Sequence, residues 1–176
     1  ILLISGSNKK KNFEVLDVLN DFKNEENLNI NIGIAYNPYL ENYFNNFEER
    51  VRFEKKFSSG VTNSIWLQYG TDIKSLQKEI KFLKDFMINN TSDSNYQSSK
   101  IFGSLLIPSM QFISRFRFRP WKGVFVSDKY LNSIGDFNKF TKDLIEIYLE
   151  NNICPVIETE CYSIKKIEEI HNLLKI

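Results

Sequence analysis

The chain has 176 residues, 42% of them hydrophobic and 14% aromatic, which suits one buried core and excludes a disordered protein. Twenty-three Lys and Arg against twenty-two Asp and Glu leave a formal charge of +1, so no global field favours a nucleic acid, and a basic patch must be argued locally. Two cysteines, Cys154 and Cys161, and one histidine, His171, exclude a disulfide framework, and a zinc site or a Ser-His-Asp triad has no histidine cluster to draw on.

Five short apolar runs are the expected strands: Ile1–Ser5, Ile30–Tyr36, Ile65–Tyr69, Ile101–Ile107 and Cys154–Glu158. Most are continuous rather than alternating, as in parallel strands covered on both faces. Apolar positions at helical spacing fill the intervals. Val15, Leu16, Leu19 and Phe22 mark the first helix, and Leu40, Phe44, Phe47, Val51 and Phe57 mark a long second one. Ile73, Leu76, Ile80, Leu83 and Met87 form a third stripe, and Phe137, Phe140, Leu144, Ile147 and Tyr148 a later one. Ser163 caps a last helix through Ile164, Ile167, Ile170 and Leu174. Gly60 follows the second helix as a C-terminal turn residue, and Asn89–Lys100 is a polar loop.

This alternation predicts an α/β chain of βα units around a parallel sheet in a single domain over residues 1–176. A (β/α)8 barrel and an open doubly wound sheet both satisfy it. The first strand is followed only by Gly6, a weak version of a nucleotide-binding turn. The apolar start at Ile1, without a cap or turn before it, predicts that earlier barrel strands are missing; a chain standing alone would dimerise or adopt an open sheet. No run approaches the roughly 18–20 apolar residues of a membrane span, and a cytoplasmic location is expected.

In either architecture functional groups collect at the strand C-termini. There the sequence places Ser5 to Asn8, Tyr36 to Tyr39, Gln68 to Asp72, Pro108-Ser109 and Glu158 to Glu160. The Gln68 amide can both donate to and accept from a heterocycle, or bond the backbone at the barrel mouth. Tyr36 is set either to stack on a ligand or to close the core. Glu158 and Glu160 are an acid–base pair or two exposed loop carboxylates. Arg52, Lys55 and Lys56 share a face of a charged helix, opposite Val51 and Phe47, where a solvated face is the plain reading. The run Ser114–Ser127, SRFRFRPWKGVFVS, offers Arg115, Arg117, Arg119 and Lys122 among aromatic rings. It suits a single-strand nucleic-acid groove, or a scaffold whose Phe112, Phe116, Phe118 and Trp121 pack inward while Arg119 or Lys122 meets a phosphate.

Taken in order, ILLISGS, INIGIAYNPYL, ERVRFEKKFSSGVTNSIWLQYGTD, GSLLIPS and a later RPW resemble the later two-thirds of the methylenetetrahydrofolate reductase family. The resemblance implies an incomplete (β/α)8 barrel, about its strands 4–8, and a flavin-dependent oxidoreductase of one-carbon metabolism acting on a reduced folate. It implies FAD as cofactor, with NADH or NADPH as electron donor, no metal, no nucleic-acid or membrane partner, and a possible homo-oligomer. Ser5, Gly6, Ser7 and Tyr36 match positions lining the flavin. Glu49, Arg52, Lys55 and Lys56 match positions holding its adenosine and pyrophosphate, and Gln68 matches a glutamine contacting folate. The family's Arg-Gly-Asp is Ser5-Gly6-Ser7 here, its aromatic last strand is PVIETE, and its proton-donor glutamate lies on a strand not in this chain. The residues performing the chemistry are therefore unassigned. A non-catalytic barrel relative binding a protein or a phosphorylated ligand is the alternative.

Overall fold

The computed structural model describes residues 1–4, 13–25, 29–44, 48–90, 99–159 and 163–174. Five parallel strands alternate with helices: β1 (Leu2–Leu3), α1 (Val15–Lys23), β2 (Ile32–Tyr36), α2 (Leu40–Phe44), α3 (Glu49–Phe57), β3 (Thr62–Leu67), α4 (Ile73–Asn89), β4 (Lys100–Leu106), α5 (Met110–Phe118), α6 (Asp128–Asn132), α7 (Ile134–Glu150), β5 (Ile153–Glu158) and α8 (Ile164–Leu174). The strands lie side by side in chain order, β1-β2-β3-β4-β5, and every pairing is parallel. A doubly wound sheet reverses its order at a switch point, whereas consecutive βα units of a barrel do not. The observed order is that of a barrel arc.

Strand alternation gives the sheet two unlike faces. Ile32, Ile34 and Tyr36 of β2, Ile65 and Leu67 of β3, and Ile101 and Leu105 of β4 are buried beneath the helices. On the other face stand Ala35, Trp66, Phe102, Ser104 and Val156, all half-buried, with Cys154 and Glu158 exposed. The strands are thus fully buried on one side only, rather than on both.

Under the helices, Tyr36, Phe53, Phe57, Phe82 and Phe86 form a continuous aromatic cluster with centroid separations of 5.3 to 6.5 Å. A buried aromatic side chain is worth roughly 1.5–3 kcal/mol, so this cluster is a main tie between β2, α3 and α4. It also corrects the expected second helix. That segment is two helices, α2 and α3, and the buried stripe of α3 is Phe53 and Phe57, one turn apart, while Val51 is 48% exposed. Phe47 lies outside the described residues. Gly60 takes a φ of 83°, a left-handed conformation that suits glycine and turns the chain from α3 into β3.

The stripes of α4 and α7 are buried as their spacing predicts, with Leu76, Ile80 and Leu83 on one and Phe137, Phe140, Leu144 and Tyr148 on the other. Asp72 caps α4 by accepting from the backbone N–H groups of Lys74 and Ser75, at 3.0 and 3.2 Å. On α8 only Ile170 is buried, and Ile164 and Ile167 face outward. His171 is exposed there, away from the strand C-termini. No helix among the described residues is long and apolar enough to cross a membrane.

Candidate functional site

The alternation that orders the core also sorts the expected site residues. Tyr36 shares parity with Ile32 and Ile34, so its ring points into the helix layer, edge-on to Phe53 at 5.3 Å. Its hydroxyl donates to Glu79, which is buried and also accepts from Arg50 Nε at 3.0 Å and Nη2 at 2.6 Å. Burial first, then the hydrogen bond to Glu79, pushes the Tyr36 phenol far above its ordinary range. This differs from the place beside a flavin that the family resemblance implies. Tyr36 is a core residue with no free face.

Glu49, Arg52, Lys55 and Lys56 all lie on α3, on the far side of Tyr36 from the open sheet face. Glu49 Oε1 accepts from the Asn37 backbone N–H at 3.0 Å and thereby ties the β2 loop to α3. Burial raises its pKa, against the lowering effects of that bond, Lys56 and Arg52. Arg52 stands 3.9 Å from Glu49, and its buried Nε has no hydrogen-bond partner among the described residues. Lys55 is exposed and Lys56 half-buried. Ser5, Gly6, Ser7 and Glu160 lie outside the described residues. The described members of the flavin set therefore do not fit the group: Tyr36 is turned away from the open face, and the Glu49 carboxylate is engaged with backbone and Arg52.

Gln68 behaves differently. It continues β3 with the parity of Trp66, its N–H donates to the Tyr36 carbonyl at 2.8 Å, and its Oε1 accepts from the Tyr69 N–H at 2.9 Å. That arrangement leaves the side-chain NH2 as a donor at the strand end. Below it, Trp66 and Phe102 stack at 4.5 Å with an interplanar angle of 22°. Gly33 makes room for the indole, since a Cβ there would lie 2.6 Å from Trp66 Nε1. One step further along β4, the Ser104 hydroxyl donates to Glu158 Oε1 of β5 at 2.6 Å, and Glu158 Oε2 has no hydrogen-bond partner among the described residues. The open face thus carries, in order toward the strand C-termini, a flat aromatic pair, an amide beside a hydroxyl, and a carboxylate.

Glu158 also lines a cavity of about 150 Å³ at the ends of β4 and β5, with Ser109, Phe112, Arg115 and Trp121 around it. Ser109 caps α5, accepting from the Phe112 N–H at 3.0 Å. Beyond Arg115 and Trp121 opens a second cavity of about 640 Å³, walled also by Phe118, Arg119 and Lys122. Another, of about 590 Å³, lies at the opposite ends of β4 and β5, between the last turns of α4 and α7. Parallel βα architectures place chemistry at the strand C-termini, so the cavities by Glu158 are the candidates.

The SRFRFRPWKGVFVS run is sorted by the same geometry. Phe116 is buried and Phe112 packs against it, but Phe118 is 91% exposed, contrary to the inward packing its sequence predicts. Arg117 donates to the Leu131 carbonyl at 2.7 Å and to Asn132, joining α5 to α6. Sequence reasoning placed Glu158 at a strand end and passed over Ser104, Trp66 and Phe102; strict i, i+2 alternation along Ile65 to Gln68 is the signal that could have found Trp66.

No family model matches the chain, and no curated protein matches it. Among solved structures the chain is similar to an uncharacterized protein from Clostridium thermocellum that binds two copies of 5-methyl-5,6,7,8-tetrahydrofolic acid. The two are 19% identical with a TM-score of 0.53, and the match covers 83% of this chain and 52% of that one. The chain therefore spans about half the length of that protein, and at this identity the likeness is one of fold: an α/β arrangement of parallel strands and helices.

Proposed function

We propose that the open sheet face binds a reduced folate at the strand C-termini. The observation that carries this reading is the Ser104–Glu158 pair standing beyond the Trp66–Phe102 stack. The pteridine of a reduced folate presents an edge of N–H and amino donors, which suits a carboxylate with one oxygen held and the other open. Its plane suits an aromatic floor, and its carbonyl suits the Gln68 NH2. The folate bound by the similar protein from Clostridium thermocellum supports the same ligand class.

The described residues of the flavin set do not gather on this face, so the site is proposed to bind its ligand and not to transfer a hydride. Calorimetric titration with 5-methyltetrahydrofolate, read alongside tryptophan emission, tests the proposal: a saturable heat with a change in emission supports it, and no heat at millimolar ligand ends it. A flavin absorption spectrum in the purified protein, or uptake of added FAD, would instead restore the flavin-dependent oxidoreductase that the family resemblance implies.

A further inference from the structure

Resting on the folate reading, we propose that Asn37 is a positioning residue for that site. Its side-chain amide latches a strap, residues 123–127, across the ends of β2 and β3 beside Gln68, and the strap parts from β2 to admit the ligand. The pairing of Tyr36 with Leu67 and the bond from the Gln68 N–H to the Tyr36 carbonyl set Asn37 next to Gln68. Pro38 follows with no N–H to continue the ladder, so the two amides stand where the paired strands end.

Asn37 bonds in three directions. Its backbone N–H donates to Glu49 Oε1 at 3.0 Å, and its Oδ1 accepts from the Tyr39 N–H at 3.0 Å, which together shape the turn out of β2. Its Nδ2 donates to the Gly123 carbonyl at 2.7 Å, a residue 86 positions away. The far end of the strap is fastened through backbone to the segment after β3. Gly70 and Phe125 form a parallel bridge, the Thr71 N–H donates to the Phe125 carbonyl at 3.0 Å, and the Ser127 N–H donates to Thr71 Oγ1 at 2.8 Å. Phe125 also stacks on Tyr43 at 3.5 Å, and Val126 is buried. The near end is held to β2 by a side chain, at a glycine whose φ of 82° is left-handed. A segment fixed by backbone and packing at one end and by an amide at the other opens at the amide.

The test is stopped-flow tryptophan fluorescence with 5-methyltetrahydrofolate on wild type, Asn37→Asp, Gly123→Ala and the double variant. Asn37→Asp keeps the acceptor for Tyr39 and loses the donor to Gly123. Gly123→Ala attacks the same bond through the backbone, since a Cβ there would meet Asn37 Nδ2 at an ordinary 3.6 Å while the φ would be strained. Each variant should bind faster than wild type yet more weakly, with affinity down about three- to tenfold, the worth of one hydrogen bond. The double variant should match the single ones, because all three break one contact. In the wild type, ligand should slow hydrogen exchange of the 123–127 amides, a readout that stands even if a variant misfolds. Wild-type rates in Asn37→Asp, slowed association, additive losses in the double variant, or exchange unmoved by ligand would overturn the latch and leave the folate reading standing. Failure of the wild type to bind the ligand overturns both.

Discussion

The Tyr36 hydroxyl donates to Glu79, a carboxylate only 5% exposed, which Arg50 grips from its other side with two nitrogens. One buried charge thereby joins β2, α3 and α4. Tyr36→Phe should cost about 1.5–3 kcal/mol, the worth of a hydrogen bond to a charged group, read as a shift in the urea midpoint. Arg50→Ala strands the carboxylate and should cost about 3 kcal/mol, at the low end for a buried pair because Arg50 is partly exposed. Affinity of Tyr36→Phe for 5-methyltetrahydrofolate should match wild type; weakened binding with unchanged stability would return Tyr36 to the site.

Two glycines separate the faces of the sheet experimentally. A Cβ on Gly103 would lie 2.4 Å from the Tyr148 ring, whose hydroxyl donates to the Ser104 carbonyl in the buried layer. Gly103→Ala should therefore destabilise by about 1–3 kcal/mol through overpacking. A Cβ on Gly33 would instead meet Trp66, a half-buried side chain on the open face. Gly33→Ala should move the tryptophan emission maximum and weaken folate binding, at a stability cost of about 1–3 kcal/mol like that of Gly103→Ala, because the indole must shift from its stack on Phe102 and its bond to Ser64. Emission unchanged in Gly33→Ala would mean that Trp66 does not sit against that strand.

Glu158 is exposed, and among the described residues its carboxylate accepts only from Ser104, so changing it should leave the melting temperature near wild type. Glu158→Gln should weaken 5-methyltetrahydrofolate about tenfold, because it replaces a charged acceptor by a neutral one. Ser104→Ala should weaken it less, since the carboxylate remains and only its orientation is lost. Full affinity in Glu158→Gln would remove the carboxylate from the proposed site.

The layout of the fold was legible because its period was strong: five apolar runs and the stripes of α4 and α7 stand where spacing puts them. Their sequential order was not, since periodicity cannot tell a barrel arc from a doubly wound sheet, and only pairing decides. The site was harder to read. A continuously apolar strand hides its parity, and Tyr36 and Gln68, both at strand ends, turn to opposite faces. Glu79 lies within a helical run as an ordinary surface carboxylate would, and its burial depends on Tyr36 and Arg50, 43 and 29 residues away. Phe118 looks like core by composition, yet lies two positions past Phe116 on a helix, which turns it outward.

Asp72 supplies a pH handle on α4. Burial raises its pKa, but hydrogen bonds from Ser75, from Tyr43 and from the backbone N–H groups of Ser75 and Lys74 outweigh that and hold it below the ordinary value. A carboxyl depressed in the folded state adds stability above its unfolded pKa of about 3.9, and that stability is lost as pH falls through the lower folded value. Asp72→Ala should therefore be about 1 kcal/mol less stable than wild type at neutral pH, the usual worth of an N-cap, with the gap closing below about pH 4. The same carboxylate accepts from the Tyr43 hydroxyl at 2.7 Å, and burial together with that bond pushes the phenol up to about 12. Spectrophotometric titration of Asp72→Ala should bring Tyr43 down toward 10. A stability gap that persists undiminished to strongly acid pH, or a Tyr43 that titrates as before, would show that the Asp72 carboxylate is not what holds this corner.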